Sequence, residues 1–205
     1  MTLAVELYII LHLLLGAPLD TLITKDIGLP PWYAPGESAI AQMALEEMTV
    51  AAKMDGILLW VNSAFRDYSY QEEVKSREGY LDPDYHRSYS AEAGHSEHQL
   101  GTTYDVAWPG LPVVSLDSRN LKLYDWLEGN AHVYGFVISY PYKEISDWPF
   151  HNRWVPVVTE YIHEPWHIRY VGVDLAQEMW EEGYLDPIDP TLPQDFFTPW
   201  PYPDF

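Results

Sequence analysis

The chain has no cysteine among its 205 residues, and its cations are scarce, with 11 Lys and Arg against 31 Asp and Glu for a formal net charge of −20 with His neutral. Without thiols there are no disulfides, thiolate metal sites, cysteine nucleophiles or thiol redox chemistry. His and carboxylate are the strong metal ligands that remain. Eleven scattered cations form no basic patch, and a surface of this charge repels phosphate, which speaks against nucleic acid and anionic membranes as partners. The apolar stretch from Leu7 to Leu15 is shorter than the roughly 20 residues a bilayer span needs. Glu6 precedes it where a signal peptide carries positive charge, and the first cation is Lys25, so it reads as an amphipathic helix or strand packed on the domain, with a degenerate signal sequence as the alternative. What the chain does have is apolar mass: 47% hydrophobic and 15% aromatic residues suffice for a core and are too apolar for a disordered chain. We read one domain over 1–183, followed by a tail over 184–205 in which Pro187, Pro190, Pro193, Pro199, Pro201 and Pro203 stand among Asp and aromatics. Such a tail cannot be helix or central strand; it wraps the surface or is mobile.

Punctuation by Gly and Pro divides the domain. A turn-rich segment over 28–36 precedes a predicted helix over 37–54, whose apolar face is Ile40, Met43, Ala44, Leu45, Met48, Ala51 and Met54 and which Gly56 ends. Ile57 to Val61 reads as a buried strand, 68–78 as a short polar helix and 79–97 as a long loop of the kind that usually carries function. A strand is expected near 102–107, and a helix capped by Ser118 running to about 132, with Tyr124, Leu127, Ala131 and Tyr134 on one face. Gly135 closes it, and Phe136 to Tyr140 is the next strand. The aperiodic stretch 141–156 reads as an insertion or lid-like loop. Two short strands are expected to flank Glu164 to Tyr170, and Asp174 to Glu182 forms the last helix, stopped at Gly183.

Three clusters can carry chemistry. In Ser96-Glu97-His98-Gln99-Leu100-Gly101-Thr102-Thr103-Tyr104-Asp105, a turn at Gly101 lets the His98 imidazole and the Asp105 carboxylate converge. In His163-Glu164-Pro165-Trp166-His167, Pro165 makes a helical Glu-His pair improbable, so the geometry is a turn leading into a strand. A zinc hydrolase needs three protein ligands, an open position for water and a carboxylate beside it that is not a ligand. His98, Asp105 and His167 can fill the first role and Glu164 the last. In Ser63-Ala64-Phe65-Arg66-Asp67-Tyr68-Ser69-Tyr70-Gln71, Arg66 is one of few cations and a candidate for gripping a carboxylate or a developing oxyanion. Taken singly, each residue reads as well as a satisfied polar group, and Arg66 as an ion-pair partner of Asp67 or another acid.

Taken together and in this order, the clusters resemble the LAS metallopeptidases (lysostaphin, D-Ala-D-Ala carboxypeptidase, sonic hedgehog), and most closely the VanY-type D-alanyl-D-alanine carboxypeptidases. The pattern Ser-x-His-x-x-Gly-x-Ala-x-Asp is matched by Ser96, His98, Gly101 and Asp105, with Thr103 in place of Ala. Glu-x-Trp-His is matched by Glu164, Trp166 and His167. Ser-Gly-Tyr-Arg-Ser-x-x-x-Gln is matched by Ser63, Arg66 and Gln71, with Ala64, Phe65 and Asp67 departing. Ser139-Tyr140-Pro141 stands where many relatives carry Arg-Tyr-Pro. The resemblance covers 25–183, and three ordered motifs are far more specific than one.

The resemblance implies an α+β domain with a small, mainly antiparallel sheet bearing the metal and the 37–54 and 118–132 helices packed behind it. It implies one Zn2+ per chain on His98, Asp105 and His167, and Glu164 as catalytic base. Arg66 would grip substrate, with Ser63, Gln71, Ser96 and Trp166 as substrate contacts. The implied activity is hydrolysis in peptidoglycan stem peptides, with release of a terminal D-alanine, by a monomer in the cell envelope or secreted, whose mature domain inserts into no membrane. Rival readings are a D,D-dipeptidase or cell-wall endopeptidase, a non-catalytic zinc-bearing binding module, and a structural acidic domain.

Overall fold

The computed structural model describes residues 16–77, 90–142, 161–186, 191 and 193–199. In chain order its elements are β1 (Thr21–Leu22), α1 (Ala39–Met54), β2 (Trp60–Ser63), α2 (Tyr68–Arg77), β3 (Thr103–Ala107), α3 (Ser118–Asn130), β4 (Phe136–Ile138), β5 (His167–Tyr170), α4 (Val173–Glu181) and β6 (Thr198–Pro199). The main sheet has the order β2-β3-β5-β4, antiparallel throughout, and β1 pairs with β6 in a separate parallel ladder. This is the expected α+β architecture. No helix among the described residues is long and apolar enough to cross a membrane.

Alternation along the two central strands separates core from site, because successive side chains of a strand point to opposite faces. Tyr104 and Val106 of β3 and Ile168 and Tyr170 of β5 are buried in the main core with Leu123 and Leu127 of α3 and Met179 of α4. Their neighbours Thr103, Asp105, His167 and Arg169 are polar and share the other face, since Asp105 lies opposite His167 and Thr103 opposite Arg169 in the ladder. One register therefore serves both packing and chemistry. A slip of a single residue would send both sets to the wrong side.

Several local expectations are corrected. Helix α1 buries Ala41, Leu45, Met48 and Ala52, while Ile40, Met43 and Met54 are exposed, so the buried stripe is narrower than the apolar one. The strand expected at 57–61 forms at Trp60–Ser63 and is not buried. It is one of the two edge strands of the sheet, and Trp60 is 61% exposed. The α3 cap is Asp117, whose side chain accepts from the Arg119 backbone N–H at 2.9 Å; the helix ends at Asn130, and a 3-10 turn over Ala131–Tyr134 continues to Gly135. β4 ends at Ile138 rather than 140; of the two strands expected around 164–170, β5 is seen, entered by irregular chain over 161–166, and the residues just before 161 lie outside the described ones. The tail is partly embedded: Tyr184 and Phe197 are buried in the main core. The apolar run at 7–15, most of the 79–97 loop and most of the 141–156 insertion lie outside the described residues.

Candidate metal centre

His98 sits in a 3-10 turn over Glu97–Leu100 that runs straight into β3, and Gly101 makes the turn possible. Its φ is +78°, a region that L residues with a side chain rarely adopt, and a Cβ there would stand 2.0 Å from the Gly36 carbonyl oxygen. The Ser38 N–H donates to the Gly101 carbonyl at 2.8 Å, tying this turn to the start of α1. Within four residues the chain has reached Asp105 on β3, and the β3–β5 register brings His167 opposite it.

The three side chains meet. His98 Nε2 lies 3.2 Å from Asp105 Oδ2, His167 Nδ1 lies 3.1 Å from Asp105 Oδ1, and one donor atom from each residue lies within 4.8 Å of the others. His98 Nδ1 is 2.6 Å from the Ala64 carbonyl oxygen, which can only accept, so that nitrogen carries the proton and Nε2 presents its lone pair. Nε2 is buried and, despite its proximity to Asp105, is in hydrogen-bond geometry with no group. Burial, with Arg66 nearby, pushes the His98 imidazole down to about 4, so it stays neutral as a ligand must. His167 is held at both nitrogens, by Asp105 at Nδ1 and by Glu97 Oε2 at Nε2, 3.1 Å away. Burial alone would lower its pKa, but the two carboxylates raise it to about 10. Burial likewise opposes ionisation of Asp105, yet His98 and His167 hold its carboxyl well below the usual range. A neutral nitrogen with an unused lone pair, an ionised carboxylate, and an imidazole whose Nδ1 proton, held toward Asp105, a cation would displace make a donor set suited to a divalent cation.

Glu164 approaches the same place without joining the set. Its Oε2 is 3.7 Å from His167 Nδ1, and burial pushes its carboxyl up to about 8. Such a group holds or yields a proton near neutral pH, and a cation beside it would favour the carboxylate. Asp105, His167 and Glu164 line a cavity of about 100 Å³ together with Arg66, Gln71, Ser96, Tyr140 and Trp166, whereas His98 does not line it. Ser63 is not among the lining residues. The Arg66 backbone N–H donates to the His98 carbonyl at 3.4 Å, and its Nε is buried without a hydrogen-bond partner. Gln71 is fixed from behind, its Nε2 donating to the Ala91 carbonyl at 2.7 Å.

Sequence reasoning missed Tyr140 and Glu97 at this site. The Tyr140 ring packs 4.7 Å from the His167 ring, and burial raises its phenol well above the usual value, leaving a neutral donor at the cavity wall. Glu97 was visible only as the neighbour of His98. The period-two pattern His167-x-Arg169 would have shown that Arg169, its ion-pair partner, shares the face of His167.

An α+β domain with two imidazoles and a carboxylate converging beside a separate buried carboxylate has the arrangement of a metal-dependent hydrolase. Comparison with known proteins narrows this. Residues 37–173 match the VanY D-alanyl-D-alanine carboxypeptidase family, and the chain belongs to that family. It is 28% identical over 149 residues to a D-alanyl-D-alanine carboxypeptidase of Enterococcus faecalis, a match covering 68% of this chain and 50% of that protein. It is 30% identical over 146 residues to one of Enterococcus faecium, covering 71% of this chain and 41% of that protein. The chain thus spans about half the length of the curated relatives it matches. Among solved structures, DacB from Streptococcus pneumoniae superposes with a TM-score of 0.61 at 29% identity, over 78% of this chain and 79% of that one. VanYB in complex with D-alanine-D-alanine also gives 0.61, at 25% identity over 78% and 90%. The LdcB LD-carboxypeptidase gives 0.61 at 28% identity over 78% and 79%.

Proposed function

We propose that the chain is a zinc-dependent carboxypeptidase that releases a C-terminal D-alanine from peptidoglycan stem peptides, and that it works in the cell envelope, where that polymer lies. The observation that carries this reading is the convergence of His98, Asp105 and His167, the last two of which line one small cavity with Glu164 and Arg66. The cavity measures about 100 Å³. His98 Nε2, Asp105 and His167 Nδ1 would hold one zinc ion. When bound, zinc supplies Lewis-acid polarisation of the scissile carbonyl and acidifies water to a pKa of about 7.

The remaining steps belong to the chain. Glu164, beside the ligand set and not part of it, takes the proton of the attacking water and delivers it to the leaving amine. Arg66, held by its own backbone against the His98 turn, presents a forked guanidinium to the terminal carboxylate of the peptide and so selects chain ends. Tyr140, kept neutral by burial, closes the wall behind His167 and offers a hydroxyl donor toward the developing oxyanion. VanYB has been captured with D-alanine-D-alanine, and LdcB is named an LD-carboxypeptidase. The proposed product, terminal D-alanine, is common to cleavage of a D,D or an L,D bond.

The test is zinc content together with D-alanine release from two peptides, a pentapeptide stem ending in D-Ala-D-Ala and a tetrapeptide stem ending in a single D-Ala. Stoichiometric zinc and release from the pentapeptide support the D,D reading. Release from the tetrapeptide alone replaces it with the L,D reading. No retained zinc, or no D-alanine from either peptide, overturns the proposal.

A further inference from the structure

Arg169 is the largest fully buried side chain among the described residues, and the proposed reaction makes no use of it. It lies on β5 two residues beyond His167, on the same face. Its Nη1 donates to Glu97 Oε1 at 2.7 Å, and its Nη2 donates to the carbonyls of Leu19 at 2.8 Å and Thr21 at 2.7 Å. The Phe197 ring covers the guanidinium, 4.3 Å from carbon to centroid. The other oxygen of Glu97 accepts from His167 Nε2. An unbroken relay therefore runs from the two ends of the described chain to one of the three candidate ligands.

Those ends are joined to each other as well. Thr21 pairs with Thr198 and Leu22 with Pro199, and the Thr198 N–H donates to the Asp20 carbonyl at 2.7 Å. Leu19, Thr21 and Phe197 all lie outside the 37–173 stretch that matches the family. A guanidinium removed from water needs a counter-charge and hydrogen bonds to persist there; Nη1 and Nη2 of Arg169 have them, while its Nε is buried without one. Here the counter-charge comes from the residue before His98, and two of the acceptors come from the segment around β1.

We propose that Glu97 and Arg169 are positioning residues for His167. The two terminal segments, through Leu19, Thr21 and Phe197, form a clasp that sets how tightly the His98, Asp105 and His167 cluster binds its cation. The physical reason is tautomer and ring orientation. With Nε2–H held by Glu97, Nδ1 is left as the ligating atom and faces Asp105; outer partners of this kind orient a ligating imidazole and strengthen it as a base. Arg169 keeps Glu97 in place, and the clasp keeps Arg169 in place. Loosening Phe197 or the Leu19 and Thr21 carbonyls frees the guanidinium to shift, Glu97 follows it, and the His167 ring loses its anchor.

This inference rests on the metal site proposed above, and its test separates the two. Zinc affinity of the full chain is measured by competition with a chromophoric chelator for the wild type and for His98→Ala, Glu97→Gln, Phe197→Leu and Phe197→Tyr. Leu127→Ala, a core variant in α3, controls for global stability. The expected pattern is a 10- to 100-fold loss for Glu97→Gln and about tenfold for Phe197→Leu. Phe197→Tyr restores the ring and binds as the wild type does. Leu127→Ala lowers Tm at least as far as Phe197→Leu and leaves zinc affinity unchanged, because it lies outside the relay. Should Glu97→Gln fail to fold, the Phe197 pair decides. If zinc binding depends on His98 but Phe197→Leu binds as tightly as the wild type, or Leu127→Ala weakens binding as much, the clasp is refuted and the metal site stands. A wild type that binds no zinc overturns both.

Discussion

Replacing Gly101 by Ala isolates the contact on which the His98–Asp105 spacing depends. Two costs add. At φ +78° an L residue strains against its own carbonyl, about 1–2 kcal/mol. The new Cβ would also stand 2.0 Å from the Gly36 oxygen and 3.1 Å from the Gly36 carbonyl carbon. Both are backbone atoms that cannot rotate aside, so the 36–38 segment must move. That movement strains the Ser38-to-Gly101 hydrogen bond and disturbs the start of α1. Overpacking of this kind costs about 1–3 kcal/mol, for a total of about 2–5 kcal/mol. Gly56 provides the comparison, since it has the same φ of +78° and no atom within 4 Å of its hypothetical Cβ. Gly56→Ala therefore bears the conformational cost alone, about 1–2 kcal/mol. Urea unfolding of the two variants measures the difference, expected to be at least about 1 kcal/mol, or roughly 2–4 °C in Tm for a chain of this size. Equal losses would show that the Gly36 contact yields without cost and that the close approach does not constrain the metal turn.

Two further predictions address the proposed reaction. Glu164→Gln should retain zinc, read by metal analysis of the purified variant, while turnover falls about 10²- to 10⁴-fold, the usual contribution of a placed acid-base group; unchanged D-alanine release would remove Glu164 from the chemistry. Amidating the C-terminus of the peptide removes the charge that Arg66 would grip. It should lower kcat/KM roughly tenfold or more, with Arg66→Lys harming the free acid more than the amide, and equal cleavage of acid and amide would point to an endopeptidase.

Most of the site was readable because its signals are local. Ser96 to Asp105 and Glu164 to His167 are each short enough that residue type, spacing and one obligatory glycine or proline restrict the geometry, and their order along the chain carries the family resemblance that implied the α+β class. The α1 helix shows where local reading stops. Its apolar residues include Ile40, Met43 and Met54, yet the structure buries Ala41, Leu45, Met48 and Ala52, because what lies beneath a helix decides which side faces inward. The strand at Trp60–Ser63 shows the same thing: its apolar run suggested burial, and its place at the rim of the sheet leaves Trp60 exposed.

By itself, then, the sequence determined the donor types, since a chain without cysteine can bind a transition metal strongly only through His and carboxylate. It also determined the order in which those donors occur along the chain. Tertiary structure alone decided how they are held. Glu97 and Arg169 are 72 residues apart, and Arg169 and Leu19 are 150 apart. The pairing of Thr21 with Thr198 joins the two ends of the described chain. No periodicity or short motif encodes such partners. They are selected by the requirement that a charge buried in the finished fold must find its counter-charge and its hydrogen bonds there.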